Sequence, residues 1–409
     1  MIISPSLVIF SSSSRPLPSR CPFPHHAKSR ILSIVSHGRT AGNPQAQTQA
    51  KFTTSARLTK FKILFCGSDE FSVASLKAVH GATGLWDSID VVVPPEREIG
   101  RGGKHNKTLE RYTRNFVLTS GYIAALRQYA LSNDLPTHTV PSKGIKGWNP
   151  PEPFTTPSSS HVLLTASFGH IIPLRLLKLF PEDHRLNVHP SLLPRWRGAA
   201  PIQWTIASGD EITGVSVQRL MKYSRGVDAG GIIGSIKDIS VPSDATYTTF
   251  LPLLAEIGGS LLVDVLRKLK DGNATFTPQD ESQITYAPKI THETARIKWD
   301  EQSADDIDRL HRGISHQVHL WTLLLSTTAH FITLRPLLPS DDPTELDGEI
   351  GKAHLIKDGR SRRLFVACAK GTWLEVLEVQ MAGKKPLKIK DWWNGLPKYV
   401  RDQGCVQMG

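Results

Sequence analysis

The sequence predicts an α/β domain followed by a smaller domain of short strands. An apolar run, Lys62–Gly67, has the composition of a buried β-strand, and Ser68 or Asp69 can cap the helix that follows it through about His80. This strand–turn–helix unit indicates a doubly wound sheet. Nearer the C-terminus, four short apolar stretches separated by turns are typical of a small barrel: residues 331–339, 350–356, 363–368 and 373–381.

The remaining elements follow from periodicity and turn signals. Strands are predicted at Asp90–Val93, which Pro94 ends, and at Val162–Ser167 and Ile212–Arg219. Tyr247–Lys270 has the spacing of an amphipathic helix. The turn after the first strand, GSDEF, lacks the GxGxxG fingerprint of dinucleotide-binding sites. We therefore divide the ordered chain into a first domain at 59–275, a linker at 276–285 and a second domain at 286–409.

Overall composition excludes several classes of protein. Of the 409 residues, 39% are hydrophobic and 21% are charged, which is ordinary for a globular chain. We see no apolar run approaching the ~18–20 residues that span a bilayer, so no membrane partner is predicted. The four cysteines form no CxxC pair. Neither a disulfide framework nor a metal site is therefore expected.

The basic charge of the chain is concentrated at its N-terminus. The net charge is +12, but the first 62 residues carry nine Lys or Arg and no acidic residue, which leaves +3 for the rest. An acid-free segment rich in Arg and Ser is typical of an organellar transit peptide, which we place at residues 1–58. A secretory signal and a disordered basic tail are the alternatives. This composition fits a mitochondrial or a plastid transit peptide, and the mitochondrial matrix is the location we predict.

One segment, NVHPSLLPRWRGAAPIQW at Asn187–Trp204, carries the strongest functional signal. Asn187 and His189 lie two residues apart at the end of a predicted strand, so both side chains point to the same face. Pro190 ends the strand because it has no backbone N–H group. An amide beside an imidazole can hold a carbonyl oxygen and move a proton.

This segment resembles the signature of the folate-dependent formyltransferases, in the version that the methionyl-tRNA branch carries. The resemblance spans roughly residues 61–395. It implies a Rossmann-like formyltransferase domain with a C-terminal OB-like β-barrel domain. In the glycine-rich stretch LMKYSRGVDAGGIIG, Asp228 matches the aspartate that completes the family's Asn–His–Asp set. The catalytic residues implied are therefore Asn187, His189 and Asp228.

The resemblance also implies the substrates. The formyl group of 10-formyltetrahydrofolate, the co-substrate, would pass to the α-amine of initiator methionyl-tRNA for organellar translation initiation, and the enzyme is expected to be a monomer. Phe168 and Gly169 stand where the family usually has Tyr-Gly on the folate side, although Phe168 could simply pack in the core. The remaining folate-pocket residues implied are Ser191, Leu192, Leu193 and Pro194, for which a tight structural turn is the alternative role.

Two basic clusters match tRNA-contacting regions of the family. Arg101 and Lys104 lie in the cationic loop REIGRGGKHNK, and Lys384 and Lys385 follow the last predicted barrel strand. From composition alone both clusters could be solvated surface. Residues 111–121, which follow the first of these clusters, have no counterpart in the family. They are an insertion or an error in the gene model.

Two other functions are compatible with the sequence. One is a different folate-dependent formyltransferase or hydrolase, acting on glycinamide ribonucleotide or an amino sugar, because such enzymes share the Asn, His and Asp. The other is a catalytically silent mitochondrial tRNA-binding protein. The segment GAAPIQW together with a C-terminal module favours the methionyl-tRNA branch over both.

Overall fold

The computed structural model describes residues 60–95, 97–98, 121–122, 124–338, 343, 345–359 and 361–409. Three groups of predictions lie outside these residues: the transit peptide at 1–58, the loop residues Arg101 and Lys104, and nearly all of the segment 111–121.

A seven-stranded mixed sheet forms the first domain. The strands in this part of the chain are β1 (Phe61–Gly67), β2 (Trp86–Val93), β3 (Arg97–Glu98), β4 (Gly121–Tyr122), β5 (Thr137–Thr139), β6 (His161–Ala166), β7 (Arg185–His189), β8 (Arg197–Gly198), β9 (Ile212–Arg219) and β10 (Ile232–Ser240). The order in the sheet is β10-β9-β7-β6-β1-β2-β5. Neighbouring strands from β7 to β5 run parallel, whereas β9 is antiparallel to both of its neighbours.

Apolar layers cover both faces of this sheet, as expected for a doubly wound fold. The helices are α1 (Glu70–Gly81), α2 (Ala125–Ser132), α3 (Leu174–Leu177), α4 (Pro201–Ala207) and α5 (Tyr247–Lys270). On one face α1 and α5 pack so closely that a Cβ at Gly259 would lie 2.9 Å from the carbonyl oxygen of Ala74. The opposite face carries a second cluster that includes Leu64, Leu163 and Phe168. The prediction of a Rossmann-like α/β domain is confirmed.

Helix α5 corrects one expectation from the sequence. Its 24 residues contain an 18-residue window with a mean hydropathy of 1.6, so by length and composition it could cross a membrane. We had expected no stretch of that kind. However, 61% of the window is buried inside the protein, and Leu254, Leu262 and Leu266 belong to the main core. The apolar composition is accounted for by packing against the sheet.

The second domain is a nearly closed antiparallel barrel. Its elements are β11 (Tyr286–Ala287), α6 (Ala304–Ile314), β12 (Leu320–Leu324), β13 (Thr327–Pro336), β14 (Lys352–Asp358), β15 (Ser361–Ala367), β16 (Trp373–Met381), β17 (Leu387–Lys388), α7 (Ile389–Asn394), α8 (Lys398–Gln403) and β18 (Cys405–Gln407). The sheet runs β12-β13-β16-β15-β14-β18, and β17 pairs with β16. Beyond β18, the backbone N–H of Gly409 donates to the carbonyl of Leu323 in β12 at 3.1 Å, which brings the two ends of the sheet together.

This barrel confirms the OB-like second domain, including the four strands that the sequence predicted. The sequence analysis missed β12 and β18, which are short and lie at the two ends of the sheet. The barrel core extends to the first domain, because Ala200, the N-cap of α4, belongs to the same buried cluster as Trp299 and Phe331.

Candidate active site

A cavity of about 470 Å³ lies beyond the carboxyl ends of β1, β6 and β7. Open α/β sheets bind ligands at this edge, and the volume is that of a small-molecule site. Asp69, Ser167 and Pro190 line the cavity where these three strands end. Asn187, His189 and Asp228 line it as well, so the structure brings the three predicted catalytic residues together.

Strand register places a row of polar side chains across the floor of this cavity. Asn187 of β7 pairs with Thr165 of β6 on one side and with Gln218 of β9 on the other. The Thr165 hydroxyl donates to Asn187 Oδ1 at 2.7 Å, and Asn187 Nδ2 lies 3.4 Å from Asp228 Oδ1. Because a carboxylate only accepts, the amide nitrogen must face Asp228. The second N–H of this amide has no acceptor among the described residues.

Asp228 is held by donors on both carboxylate oxygens. Gln218 Nε2 donates to Oδ1 at 2.6 Å, and the backbone N–H of Gly198 donates to Oδ2 at 3.0 Å. The residue has a φ of 50°, in the left-handed region that a non-glycine residue seldom adopts. Nearby, a Cβ at Gly230 would lie 1.8 Å from the carbonyl oxygen of Arg219. The DAGG turn therefore requires glycine at this position.

His189 is oriented by a backbone carbonyl. The ring is 4% exposed, and its Nε2 lies 2.8 Å from the carbonyl oxygen of Trp196. A carbonyl can only accept, so Nε2 carries a proton. His189 Nδ1 lies 3.7 Å from Asp228 Oδ2, which is within ion-pair distance but too long for a hydrogen bond. The Trp196 carbonyl, rather than Asp228, therefore orients the ring.

The Trp196 side chain is held by a carboxylate. Trp196 Nε1 donates to Asp210 Oδ2 at 2.7 Å, and Arg195 Nε donates to the same oxygen at 2.9 Å. The Arg195 guanidinium also lies 4.7 Å from the Trp196 ring centroid. Arg195 and Asp210 therefore hold Trp196, the residue whose carbonyl orients His189.

The residues predicted for the folate pocket divide into two groups. Phe168 and Gly169 line the cavity, and Phe168 also belongs to the buried cluster on its side of the sheet, so both of its proposed roles are compatible. The segment Ser191–Pro194 does not line the cavity. The Ser191 hydroxyl donates to the Arg195 carbonyl at 2.6 Å, and the Leu193 N–H donates to Ser216 Oγ at 3.1 Å. These contacts make the segment a structural turn, and direct folate contact by it stays a prediction.

One further acidic group lines the cavity. Asp69 is the N-cap of α1, where its carboxylate accepts from the N–H of Ser72 at 3.1 Å. Burial raises the pKa of this carboxyl from 3.8 to about 6, against the lowering effect of the hydrogen bonds it accepts. An acid on the cavity wall therefore titrates close to neutral pH.

Sequence reasoning missed several residues that build the site. Gln218 is 1% exposed in β9, and Thr165 is 5% exposed in β6. A polar side chain at a buried strand position is a signal that could have identified both, because such groups need partners. Gly198 and Gln279 gave no comparable signal, because their roles depend on contacts between distant segments.

The predicted tRNA-contacting lysines lie in the second domain. Lys384 and Lys385 are exposed in the turn between β16 and β17, and neither forms an ion pair within the part of the chain that the structure describes. By contrast, Lys388 pairs with Glu378 at 3.3 Å. No group of three or more His, Cys, Asp or Glu side chains among the described residues could hold a metal ion.

Comparison with known proteins agrees with this architecture. A formyl transferase family model matches residues 115–266, and a formyl transferase C-terminal domain model matches residues 289–397. The methionyl-tRNA formyltransferase of Acidobacterium capsulatum is 32% identical over 82% of this chain and 96% of its own length. The mitochondrial methionyl-tRNA formyltransferase of Mus musculus is 30% identical over 82% of this chain and 78% of its own length.

Solved structures share the fold at lower identity. The sugar 3N-formyl transferase WlaRD, solved with dTDP and 5-N-formyl-THF, has a TM-score of 0.52 and 15% identity over 80% of this chain and 99% of its own. An N-formyltransferase from Helicobacter canadensis, solved with folinic acid and dTDP-3-aminofucose, has a TM-score of 0.50 and 14% identity over 77% and 98%. The solved structures agree with the fold, and the sequence relatives show that the chain belongs to the methionyl-tRNA formyltransferase family.

Proposed function

We propose that this chain transfers the formyl group of 10-formyltetrahydrofolate to the α-amine of methionyl-tRNA. The observation that carries the proposal is the meeting of Asn187, His189 and Asp228 on one cavity wall, in a chain whose relatives are named for this reaction. Apolar side chains of the same cavity, including Phe168, Ile172 and Leu220, suit the flat aromatic part of a folate.

The amine of the substrate is itself the nucleophile, so no serine or cysteine nucleophile is required. A free α-amino group has a pKa of about 7.7–8.0, and a substantial fraction is neutral near neutral pH. Attack forms the new C–N bond and a tetrahedral oxyanion. Asn187 donates its second amide N–H to that oxyanion, a contact whose loss in other enzymes costs about 10²–10³-fold in rate.

Proton movement is assigned to His189 and Asp228. His189 Nε2 is engaged by the Trp196 carbonyl, so Nδ1 is the ring atom that accepts a proton from the attacking amine. The carboxylate of Asp228, 3.7 Å away, stabilises the imidazolium that forms. The same proton then passes to the folate nitrogen as its bond to the formyl carbon breaks. The histidine thus serves as base first and as acid second.

The second domain would bind the tRNA through its backbone and acceptor end. Lys384 and Lys385 have the exposure and free charge that phosphate contacts require, and Arg101 and Lys104 are assigned to the same task from the sequence. Initiator methionyl-tRNA is the expected partner, and the protein is expected to act as a monomer without a membrane.

We further propose the domain organisation and location given by the sequence. Residues 1–58 are the transit peptide, 59–275 the catalytic domain, 276–285 the linker and 286–409 the tRNA-binding domain. The acid-free N-terminus and the mitochondrial relatives support a mitochondrial protein, with the matrix as its compartment.

The full chain should be assayed for formylation of methionyl-tRNA with 10-formyltetrahydrofolate, beside Asn187→Ala and His189→Ala. Both variants should lose about 10²–10³-fold in kcat with little change in thermal stability. Asn273→Ala, which changes an exposed amide beyond α5, is the control and should be unaffected. A folded but inactive wild type would instead indicate another amine acceptor or a tRNA-binding role without chemistry.

A further inference from the structure

The segment that connects the two domains also contacts the catalytic site. We call Gln279–Pro288 the interdomain segment. Within it, β11 pairs with β8 of the signature segment, and the backbone N–H of Ala199 donates to the carbonyl of Ala287 at 2.9 Å. A Cβ at Gly198 would lie 2.6 Å from that same carbonyl oxygen, so glycine is required for this close approach. Gly198 is also the residue whose N–H donates to Asp228.

Gln279 connects the interdomain segment to the loop that carries Asp228. Its Nε2 donates to the carbonyl oxygens of Asp228 and Gly230, both at 2.7 Å. Its Oε1 accepts from Arg197 Nε at 2.9 Å and from Arg197 Nη2 at 2.7 Å. Four hydrogen bonds of 2.9 Å or shorter therefore converge on one side chain of the interdomain segment.

Chemistry fixes the orientation of this amide. A guanidinium has only donors, so Gln279 must present its oxygen to Arg197. Backbone carbonyls only accept, so the amide nitrogen must face Asp228 and Gly230. A flipped amide would oppose donors to donors and acceptors to acceptors. Arg197 is 5% exposed, so water offers little substitute for these contacts.

These contacts restrain a glycine-rich loop. Asp228 has its left-handed φ of 50° between a glycine at 226 and two glycines at 230 and 231. Glycine permits many conformations, so the position of the Asp228 carboxylate depends on what its loop is bonded to. Gln218 donates to the Asp228 carboxylate and accepts from the backbone N–H of Gly230 at 3.2 Å, whereas Gln279 donates to the two backbone carbonyls.

We propose that Gln279 is a positioning residue for catalysis, and that the interdomain segment is thereby a structural component of the active site. The inference rests on the proposed function for its catalytic meaning. It makes the placement of Asp228 depend on the segment that leads into the second domain. A shift of about 1 Å in a catalytic group can cost about 10²-fold in rate, so loss of these contacts should be seen in kcat.

Gln279→Glu is the sharpest test, because it keeps an oxygen for Arg197 and removes both N–H donors at nearly constant size. Gln279→Ala controls for the added charge. Gln128→Glu introduces the same charge at an exposed glutamine of α2, outside the interdomain segment, and is the matched control. The readouts are kcat and KM for both substrates, thermal stability, and hydrogen exchange of peptides that contain Asp228–Gly230.

We expect kcat to fall roughly 10–100-fold in Gln279→Glu and Gln279→Ala, with both KM values within about threefold of wild type. Amides of the Asp228 loop should exchange faster in both variants, and their exchange should be unchanged in Gln128→Glu. Wild-type exchange rates in that loop, or full kcat in Gln279→Glu, would overturn the inference. Because exchange is measured without substrates, this result stands even if the wild type formylates nothing, which would instead overturn the proposed function.

Discussion

Replacing Asp228 with asparagine tests the catalytic geometry most directly. Both carboxylate oxygens meet donors, from Gln218 on one side and Gly198 on the other. An asparagine has only one oxygen, so its NH₂ group must oppose one of these donors. Leaving a buried donor unsatisfied costs about 1–3 kcal/mol, so a modest loss of stability is expected.

The larger effect should be on rate. In the proposed mechanism Asp228 stabilises His189 while its Nδ1 carries the proton of the substrate, at a separation of 3.7 Å. At an effective dielectric constant of about 20, unit charges at such a distance attract by about 4 kcal/mol. Each 1.36 kcal/mol is tenfold, so removing the charge should lower kcat by about 10²–10³-fold.

Single-turnover formylation with both substrates saturating measures this step without product release. Asp238→Asn is the matched control, because Asp238 also has a positive φ, of 58°, but is exposed on β10. It should retain wild-type rates. An Asp228→Asn variant that folds and keeps more than about a tenth of the wild-type rate would refute the assignment of charge stabilisation to Asp228.

Two further predictions concern pH and salt. The pKa of the Asp69 carboxyl is about 6 in the folded protein, whereas its ordinary value is 3.8. The contribution of Asp69 to the free energy of unfolding therefore falls as pH rises from about 4 to 6, and it stays unfavourable above that range. Asp69→Asn keeps an N-cap acceptor. The melting temperature of this variant should exceed that of wild type above pH 6, and the two should converge near pH 4. A lower melting temperature of the variant at pH 7 would contradict this prediction. Changing both Lys384 and Lys385 to alanine should weaken tRNA binding and reduce the slope of log affinity against log salt by about 1–2. An unchanged slope in a binding titration would place these lysines outside the tRNA interface.

The sequence alone predicted much of the fold and the candidate catalytic residues. Hydrophobic periodicity located α1, α5 and the strands β1, β6 and β9, because these elements bury continuous apolar surface. A long, specific motif identified Asn187 and His189, and a strand places residues two apart on one face whatever surrounds it. The short edge strands β12 and β18 were missed because three to five residues carry too little periodic signal.

Only the tertiary structure could show how the catalytic residues are held. Which atom orients His189, and which side chains bond to Asp228, depend on contacts between segments that lie 7 to 51 residues apart. Sequence pattern reports burial and local conformation, whereas a hydrogen bond requires a distance and an angle. For the same reason, nothing in the local sequence around Gln279 shows that its side chain bonds to the backbone of Asp228.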